Sequence, residues 1–492
     1  MHINFPRLEG YTTMKLLITL FLSTLLLTAN TSKEDITKQA IVKIYTTSKV
    51  PNYQVPWSSA MQSSTGSGAI IADGYILTNA HVVANQAFIE VQRYGKRKRY
   101  VATVYAVSHQ ADLALLKVEE ASFYAGVTPL TFGTLPEVEQ KIVVYGYPMG
   151  GSTLSATIGV VSRVEHHTYA HSGEVFLAVQ VDAAVNPGNS GGPALSDGKI
   201  VGVVMQVISK SQNIGYLVPV RMVKHFIDDM KDGIYNGFAD LGLGTQKLEN
   251  PTLRRYYGLD ENVTGKLLDL IVHNSSLKGI LKEGDILTNV DGFNIEDDGT
   301  VAFREYEYTD FHYAVDAYQM GEKIQLDIIR DKKPMQVEAE LKYTADDMYL
   351  VKTTRYDTMP RYFIYGGYVF SPLTRNLILS SNRNRSTLSH LAMQWQTKDK
   401  NEAVVLLKVL ASDLTRGNNS FGMWPIEKIN GEKFVDFNDF HQKMQSSPNK
   451  YIVLEDEDGV KVIIDKDEAQ VKQADILKKY NIEFDKSVDL RG

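Results

Sequence analysis

The chain contains no cysteine among its 492 residues. This absence excludes disulfide bonds, thiolate metal sites and a cysteine nucleophile. It does not by itself identify a cellular compartment.

Concentrated positive charge is also missing, since the formal net charge is −6. A general nucleic-acid binder needs a concentrated basic surface, so no nucleic acid is expected as a partner. The short basic run at 94–100, YGKRKRY, lies between strand-like runs and is interpreted as a solvated hairpin tip. No phosphate-binding loop of the GxxxxGK[ST] type occurs, which indicates an ATP-independent protein, and no cofactor is expected.

Long apolar runs are few, and none reaches the length of a stable membrane span. The run LLITLFLSTLLL covers Leu16–Leu27, follows Met14 and Lys15, and is succeeded by small residues. A basic start, a short apolar stretch and a small-residue exit are typical of a secretory signal, with an uncleaved membrane anchor as the alternative. We expect residues 1–32 to be an N-terminal extension and signal peptide that begins at Met14. The protein is then exported, to a bacterial periplasm or outside the cell.

The length predicts about three domains at roughly 150 residues each. From Ile41 to about Val220, short apolar or alternating runs are interrupted by turn residues, a pattern typical of an all-β sandwich or barrel. Within AIIADGYILT, the pair Asp73-Gly74 separates two apolar runs and predicts a hairpin. The spacing of apolar residues then changes from a strand pattern to a helix pattern. In PVRMVKHFIDDM the apolar residues fall on one helical face (Val220, Val223, Ile227 and Met230). A helix is therefore predicted to close this domain near Gly233.

Three polar residues occupy special places in this β region. His81 follows the hairpin in LTNAHVV, Asp112 opens the strand-like DLALLKV, and Ser190 lies within NPGNSGGPAL. Each alone could be structural, as a core histidine, a turn residue and a loop residue. Together they match nucleophilic catalysis, in which a serine hydroxyl needs an imidazole base and the base needs a buried carboxylate.

The glycines around the serine support the same chemistry. The attacked carbonyl becomes an oxyanion that needs preorganised N–H donors, and glycine provides these at little conformational cost. We predict an oxyanion hole at Gly188, Asn189 and Ser190, with the amides of Gly188 and Ser190 as donors. Gly191 and Gly192 are expected to let the chain turn away behind the hydroxyl.

At this point the sequence resembles a known family. TGSGAIIADGYILTNAHVV, ADLALLKV and NPGNSGGPAL, in that order, are similar to the chymotrypsin-fold proteases of the Deg/HtrA type, and NIGYLVPV at 213–220 resembles the strand before their final helix. The resemblance implies a mostly β chain with a chymotrypsin-like double β-barrel protease domain at 33–236. It implies His81 as general base, Asp112 as its orienting acid and Ser190 as nucleophile. It also implies a homo-oligomer acting on unfolded or damaged proteins.

Two further site predictions concern specificity and metals. In trypsin-like members an acid six positions before the nucleophile selects basic side chains, but here that position is Ala184, followed by Val185. An apolar pocket cannot offset the desolvation of Lys or Arg, so cleavage after small or medium aliphatic residues is predicted. The run VEHHTYAH has three histidines but lies between β runs and lacks the acid of HExxH, so it is interpreted as a polar surface loop without metal (His166, His167 and His171). In the proteases that the chain resembles, the corresponding loop senses activation by the neighbouring domain.

The C-terminal half resembles two PDZ-like α+β domains. Residues 263–295, VTGKLLDLIVHNSSLKGILKEGDILTNVDGFNI, resemble a PDZ domain, assigned to 237–343. In PDZ folds a C-terminal peptide adds as an extra strand, and on that pattern Thr264, Gly265, Lys266 and Leu267 form the carboxylate loop. The alternative is a module that only packs against the protease domain.

A partial internal repeat predicts a second, degenerate PDZ-like domain at 344–492 with a C-terminal extension. VDGFNI, DFHYAVDAYQM and EKIQLDIIRDKKPMQVEAEL correspond to INGEKF, DFNDFHQKM and NKYIVLEDEDGVKVII. The insert EDDGTVAFREYEY is interpreted as a loop of the first copy. This two-PDZ layout resembles the plant-type subgroup of Deg proteases and their bacterial relatives.

The sequence therefore predicts an ATP-independent serine endopeptidase for unfolded or damaged proteins. Two alternatives remain. One is a PDZ-containing peptide-binding chaperone or scaffold without catalysis, and the other is a regulatory processing protease with one main substrate.

Overall fold

The computed structural model describes residues 33–148, 151, 153–207, 214–381 and 385–491. The predicted signal at 1–32 and residue Asn213 of the NIGYLVPV run lie outside these residues. Among the described residues, no helix is long and apolar enough to cross a membrane.

The first barrel is closed by six antiparallel strands in the order β1-β2-β3-β6-β5-β4. Alternation of apolar and polar residues directs one face inward, as in β4, where Ile89 and Val91 are buried. The predicted hairpin at Asp73-Gly74 is confirmed, because both residues have left-handed φ values of 60° and 72° and β2 pairs with β3. The elements are α1 (Lys33–Gln39), β1 (Ile41–Pro51), β2 (Ser59–Ile70), β3 (Tyr75–Thr78), α2 (Ala80–Val83), β4 (Gln86–Arg93), β5 (Tyr100–Ser108) and β6 (Leu113–Lys117).

The second barrel closes in the order β10-β11-β12-β9-β8-β7. The predicted closing helix follows it as α3, with Met222, Val223 and Phe226 buried against the barrel. Its elements are β7 (Lys141–Gly146), β8 (Ser155–Thr168), β9 (Val175–Val181), β10 (Pro193–Ser196), β11 (Lys199–Val207), β12 (Gly215–Pro219) and α3 (Val220–Asp229).

The polar surface loop predicted around 164–171 is wrong in part. His166 and His167 belong to β8 and pair with Leu177 and Phe176 of β9. Backbone pairing with a buried neighbouring strand therefore outweighs the polar character of this run, and only His171 lies in the turn.

The first C-terminal module is built on a sheet with the order β13-β14-β15-β19-β20. The insert interpreted as a loop forms instead the hairpin β17–β18, which lies against β8 of the second barrel. Its elements are β13 (Leu243–Lys247), α4 (Pro251–Tyr257), β14 (Lys266–Ile271), β15 (Ile286–Val290), β16 (Phe293–Asn294), β17 (Thr300–Arg304), β18 (Glu307–Asp310), α5 (His312–Val315), β19 (Lys323–Arg330) and β20 (Lys333–Glu340).

The second C-terminal module contains two four-stranded sheets, ordered β21-β22-β23-β24 and β26-β25-β27-β28. The internal repeat is visible in the structure, since β25, β26, α9, β27 and β28 follow one another as β15, β16, α5, β19 and β20 do. The elements are α6 (Ala345–Met348), β21 (Phe363–Tyr365), β22 (Tyr368–Pro372), α7 (Arg375–Leu379), α8 (Arg385–Leu391), β23 (Val404–Val409), β24 (Trp424–Ile426), β25 (Lys428–Ile429), β26 (Glu432–Lys433), α9 (Phe437–Ser446), β27 (Tyr451–Glu455), β28 (Lys461–Asp465) and α10 (Lys466–Lys479).

The hydrophobic core is continuous across both barrels and the first module, from Ala40 to Leu341. The second module has two apolar clusters of its own. One of them also contacts Tyr53 and Trp57, which follow β1 of the first barrel. The second module is therefore attached to the rest by a smaller apolar contact than the first.

Candidate active site

His81 and Asp112 are brought together at one end of the first barrel. His81 lies in the short helix α2 directly after β3, and Asp112 precedes β6 with a left-handed φ of 53°. The His81 Nδ1 atom is 2.8 Å from Asp112 Oδ2, and the His81 backbone N–H donates to Asp112 Oδ1 at 2.9 Å. Both oxygens of the buried carboxylate therefore hold the histidine, one at the ring and one at the main chain.

This contact shapes the protonation of the imidazole. Burial alone would lower the pKa of His81, but the charge of Asp112 and its hydrogen bond outweigh burial and raise the pKa. The carboxylate thus fixes the proton on Nδ1 and leaves Nε2 as the free base, while it stabilises the imidazolium that forms after proton uptake.

Asn79 is a supporting residue that the sequence reasoning missed. Its side-chain amide donates to the Asp112 carbonyl at 2.8 Å, and it is fully buried. This bond holds the left-handed turn at Asp112 against the segment that leads into α2. The available signal was its position in LTNAHVV, two residues before His81.

Ser190 lies on the second barrel and is tied to β2 of the first. The backbone N–H of Ser67 donates to the Ser190 carbonyl at 2.9 Å. Gly66 is enclosed between the two barrels, because a Cβ atom there would lie 2.6 Å from Val82 Cγ1 and 3.3 Å from the Ser190 carbonyl. The residue after His81 and the backbone of the predicted nucleophile therefore approach the same glycine, so the chain segments that carry His81 and Ser190 meet at this junction.

The glycines beside Ser190 allow the chain to turn and also allow its backbone to approach β3 and β7 closely. Gly188 and Gly191 have left-handed φ values of 98° and 81°. A Cβ at Gly191 would lie 2.1 Å from Thr78 Oγ1, and one at Gly192 would lie 2.1 Å from the Tyr145 carbonyl. Only glycine fits at these positions without displacing β3 or β7.

The backbone orientation around Gly188 is set by Ser67, a second residue that was not predicted. The fully buried Ser67 hydroxyl donates to the Gly188 carbonyl at 2.7 Å and accepts from the Tyr147 N–H at 2.8 Å. The Asn189 N–H donates to the Asn186 carbonyl at 3.0 Å. No described residue accepts from the N–H groups of Gly188 and Ser190, so these two, rather than Asn189, are available as oxyanion donors. Ser67 lies in the TGSG run at 65–68, beside the glycine that the two barrels enclose.

The two residues predicted for specificity differ in environment. Ala184 is exposed, while Val185 is buried against Gly215, where a Cβ would lie 2.8 Å from Val185 Cγ2. Their role in substrate selection stays a prediction.

The predicted carboxylate loop at Thr264, Gly265, Lys266 and Leu267 does not border a free strand. The strand β14 that begins there pairs with β13 on one side and β15 on the other. The two terminal strands of that sheet are β13 and β20, and β13 is the one that lies beside β14. The expectation that a peptide adds beside β14 is therefore wrong, because both edges of its first residues are occupied.

Comparison with known proteins adds to this geometry. A family model described as "Trypsin-like peptidase domain" matches residues 66–203, and one described as "PDZ domain" matches residues 351–489. "Putative protease Do-like 3, mitochondrial" of Arabidopsis thaliana is 34% identical over 463 residues, covering 94% of this chain and 82% of that protein. The chain belongs to the Deg/HtrA family of serine proteases.

Other relatives of this Deg/HtrA protease agree. "Protease Do-like 2, chloroplastic" of Arabidopsis thaliana is 36% identical over 459 residues, covering 92% of this chain and 75% of that protein. The solved structure "HtrA-type protease AlgWS227A with decapeptide" has a TM-score of 0.50 at 23% identity and covers 63% of this chain and 97% of that one. It shows a shared fold over that part of the chain.

The predicted export to a bacterial periplasm is wrong. Both relatives named above carry a mitochondrial or chloroplastic name, which points to organelles. A basic residue before a short apolar run is an unspecific targeting signal, because composition alone does not identify the membrane that a leader sequence crosses.

No cluster of three metal-ligating side chains occurs in the part of the chain that the structure describes. His166 and His171 diverge, because His166 faces Thr309 and Asp316 of the first module while His171 faces His109.

Proposed function

We propose that this protease cleaves unfolded or damaged proteins without ATP, by an acyl-enzyme mechanism with Ser190 as nucleophile, His81 as general base and Asp112 as orienting acid. The observation that carries the proposal is the doubly held His81–Asp112 pair, with bonds of 2.8 and 2.9 Å, at the junction where Ser190 meets the first barrel.

The chemistry follows from these positions. The Nε2 atom of His81 removes the hydroxyl proton of Ser190 as Oγ attacks the scissile carbonyl, and Asp112 remains ionised beside the imidazolium. The N–H groups of Gly188 and Ser190 donate to the oxyanion. His81 then protonates the leaving amine, and water activated by the same base hydrolyses the acyl-enzyme.

Ala184 and Val185 are proposed to favour small or medium aliphatic residues before the cleaved bond. The absence of a carboxylate at Ala184 supports this, since a Lys or Arg side chain bound beside Val185 would lack a charged partner. The variant Ala184→Asp should gain cleavage after Lys and Arg, whereas Ala184→Ser should not. Mass spectrometry of digested casein measures both, and an unchanged cleavage profile of Ala184→Asp would contradict the assignment.

Capture of an extended C-terminal peptide is proposed for the free edge of β13. An edge strand offers unpaired backbone groups to which a peptide adds as a further strand. Light scattering of the full chain tests the accompanying proposal of a homo-oligomer.

Casein digestion by Ser190→Ala and by Ser196→Ala tests the catalytic proposal. Ser196 lies in β10, six residues after Ser190, and its hydroxyl bonds to the Lys141 carbonyl, so it is a matched serine outside the junction. We expect a rate loss of about 10⁴-fold or more for Ser190→Ala and little change for Ser196→Ala. Equal turnover by wild type and Ser190→Ala would favour a peptide-binding scaffold instead.

A further inference from the structure

A short segment of the C-terminal half reaches the catalytic pair. Asp357 lies before β21, the first strand of the second module, yet its Oδ1 atom accepts from the Asn85 backbone N–H at 2.5 Å. In return, the Asp357 N–H donates to Asn85 Oδ1 at 2.8 Å. Asn85 follows the end of α2, the helix that carries His81, and has a left-handed φ of 57°. This reciprocal pair fixes the end of that helix.

The same carboxylate also holds the loop that carries Asp112. Its Oδ2 atom is 2.8 Å from His109 Nε2, and His109 is three residues before Asp112. One side chain from outside the barrels therefore bonds to both elements that supply the catalytic pair.

A third element joins through His171, in the turn between β8 and β9. Its Nε2 atom is 2.9 Å from His109 Nδ1, and its ring centre is 6.1 Å from that of His81. Tyr356 covers His171, because the two rings stack at 3.9 Å with an angle of 18° and the Tyr356 hydroxyl donates to the His171 carbonyl at 2.8 Å. We call Tyr356, Asp357, Asn85, His109 and His171 the linker clamp.

The hydrogen bonds of the linker clamp run through both histidines. An ionised carboxylate only accepts, so His109 donates from Nε2 to Asp357. The other ring nitrogen of His109, Nδ1, meets Nε2 of His171, and one of these two nitrogens donates to the other. Burial lowers the pKa of His171 to about 4. The neighbouring His109 and His81 lower this pKa as well, whereas the carboxylates of Asp112 and Asp357 oppose the shift without cancelling it. The ring beside His81 is therefore uncharged at neutral pH.

We propose that Tyr356 and Asp357 are positioning residues for the His81–Asp112 pair, and that the linker clamp makes the alignment of this pair depend on the docked second module. This inference rests on the proposed function of the pair. The positioning residues touch neither the scissile bond nor Ser190, so they act on the chemical step through α2 and the loop before β6. Loss of the clamp should lower kcat more than it raises KM, because misalignment of a catalytic group affects the transition state first.

The decisive variants are Asp357→Ala and Asp357→Asn. Alanine removes both accepted bonds, whereas asparagine keeps one acceptor oxygen and loses the other together with the charge. For a chromogenic peptide we expect Asp357→Ala to lose about 10- to 100-fold in kcat with KM within about threefold, and Asp357→Asn to lose less. The control is Asp489→Asn, which removes a carboxylate that bonds to Arg361 within the second module.

The pH profile separates positioning from a general structural role. Because Asp112 raises the pKa of His81, a loosened pair lets this pKa fall. The acid limb of kcat/KM should therefore move to lower pH in Asp357→Ala and stay in place in Asp489→Asn. Tyr356→Phe keeps the stacked ring and should retain most activity, whereas Tyr356→Ala should approach Asp357→Ala.

Several outcomes would overturn the inference. If Asp357→Ala matched Asp489→Asn in kcat and pH profile, or differed only in thermal stability, the clamp would be a docking contact alone. Higher activity in Asp357→Ala would make the segment a block on the site. Fluorophosphonate labelling separates this failure from that of the proposed function. Absence of Ser190 labelling in the wild type contradicts the catalytic proposal, whereas equal labelling rates in wild type and Asp357→Ala contradict the clamp alone.

Discussion

The two C-terminal modules bond differently to the barrels. The first bonds to the second barrel, where His166 of β8 is 2.8 Å from Thr309 and 3.2 Å from Asp316. The second bonds to the first barrel through Asp357, which contacts Asn85 and His109, and to the turn after β8 of the second barrel through Tyr356. The proposed catalytic groups are also divided between the barrels, since His81 and Asp112 lie on the first barrel and Ser190 on the second.

The two attachments also differ in kind. The first module shares one continuous apolar core with the barrels, so its separation would expose apolar surface. The second has its own core and meets the barrels largely through polar bonds and a few aromatic rings. We therefore expect the second module to detach at lower cost than the first, and the proposed His81–Asp112 pair to be the more readily altered half of the site.

Asp112→Asn should cause the largest loss of kcat. Losses caused by substitutions in either module can be compared with it. Asparagine tolerates the left-handed φ of 53°, but it favours the wrong tautomer of His81, so we expect about 10⁴-fold lower kcat with the fold retained. Steady-state kinetics and circular dichroism measure both. A loss under tenfold would show that Asp112 does not orient the histidine.

Asp285→Ala should destabilise the first module and the barrels together. Asp285 is 1% exposed and bonds to Arg330 at 2.6 and 2.8 Å, so its removal leaves a half-buried guanidinium without its carboxylate partner. We expect a loss of about 3–5 kcal/mol in one shared calorimetric transition. Glu338→Ala, which breaks the exposed pair with Lys323, should leave the melting curve nearly unchanged. A separate transition for the first module would contradict the shared core.

Phe440→Ala should instead lower the stability of the second module alone. Phe440 is fully buried beside Phe370 and Phe434, and its truncation should cost about 3–5 kcal/mol. Calorimetry should resolve an earlier transition, with kcat reduced above it. Phe440→Leu, which retains much of the volume, is the control. If the whole chain melted together, the two modules would not differ in attachment.

His312→Gln should have the smallest effect, and only at alkaline pH. Burial would lower the pKa of His312, but the hydrogen bond and charge of Asp310 outweigh it and raise the pKa to about 9. Stability from this pair is therefore complete below about pH 6.5 and lost as pH rises through 9. The melting temperature of the wild type should fall more between pH 7 and 10 than that of His312→Gln. The exposed His273→Gln should behave like the wild type, and parallel curves for His312→Gln would contradict the assignment.

Local signals predicted the barrels and their junction well. Alternating strands, the Asp73-Gly74 turn and the glycines around Ser190 each depend on neighbours in the chain, so they are readable from residues alone. The hairpin formed by EDDGTVAFREYEY could not be predicted from the sequence. Its strands β17 and β18 pair with each other and pack against β8, which is distant in the sequence. The position of β13 at the edge of its sheet was not predicted for the same reason, because the order of strands in a sheet depends on contacts between segments that are distant in the sequence.

The sequence by itself determined the chemistry of this protein: which imidazole, carboxylate and hydroxyl were present, and where the backbone needed glycine. Only the tertiary structure decided what supports them, namely Ser67 behind Gly188, Asn79 behind Asp112, and Asp357 beside the elements that carry His81 and Asp112. The physical reason is separation along the chain. A bond between Asn85 and Asp357 joins residues 272 positions apart, and no local pattern encodes a partner at that distance.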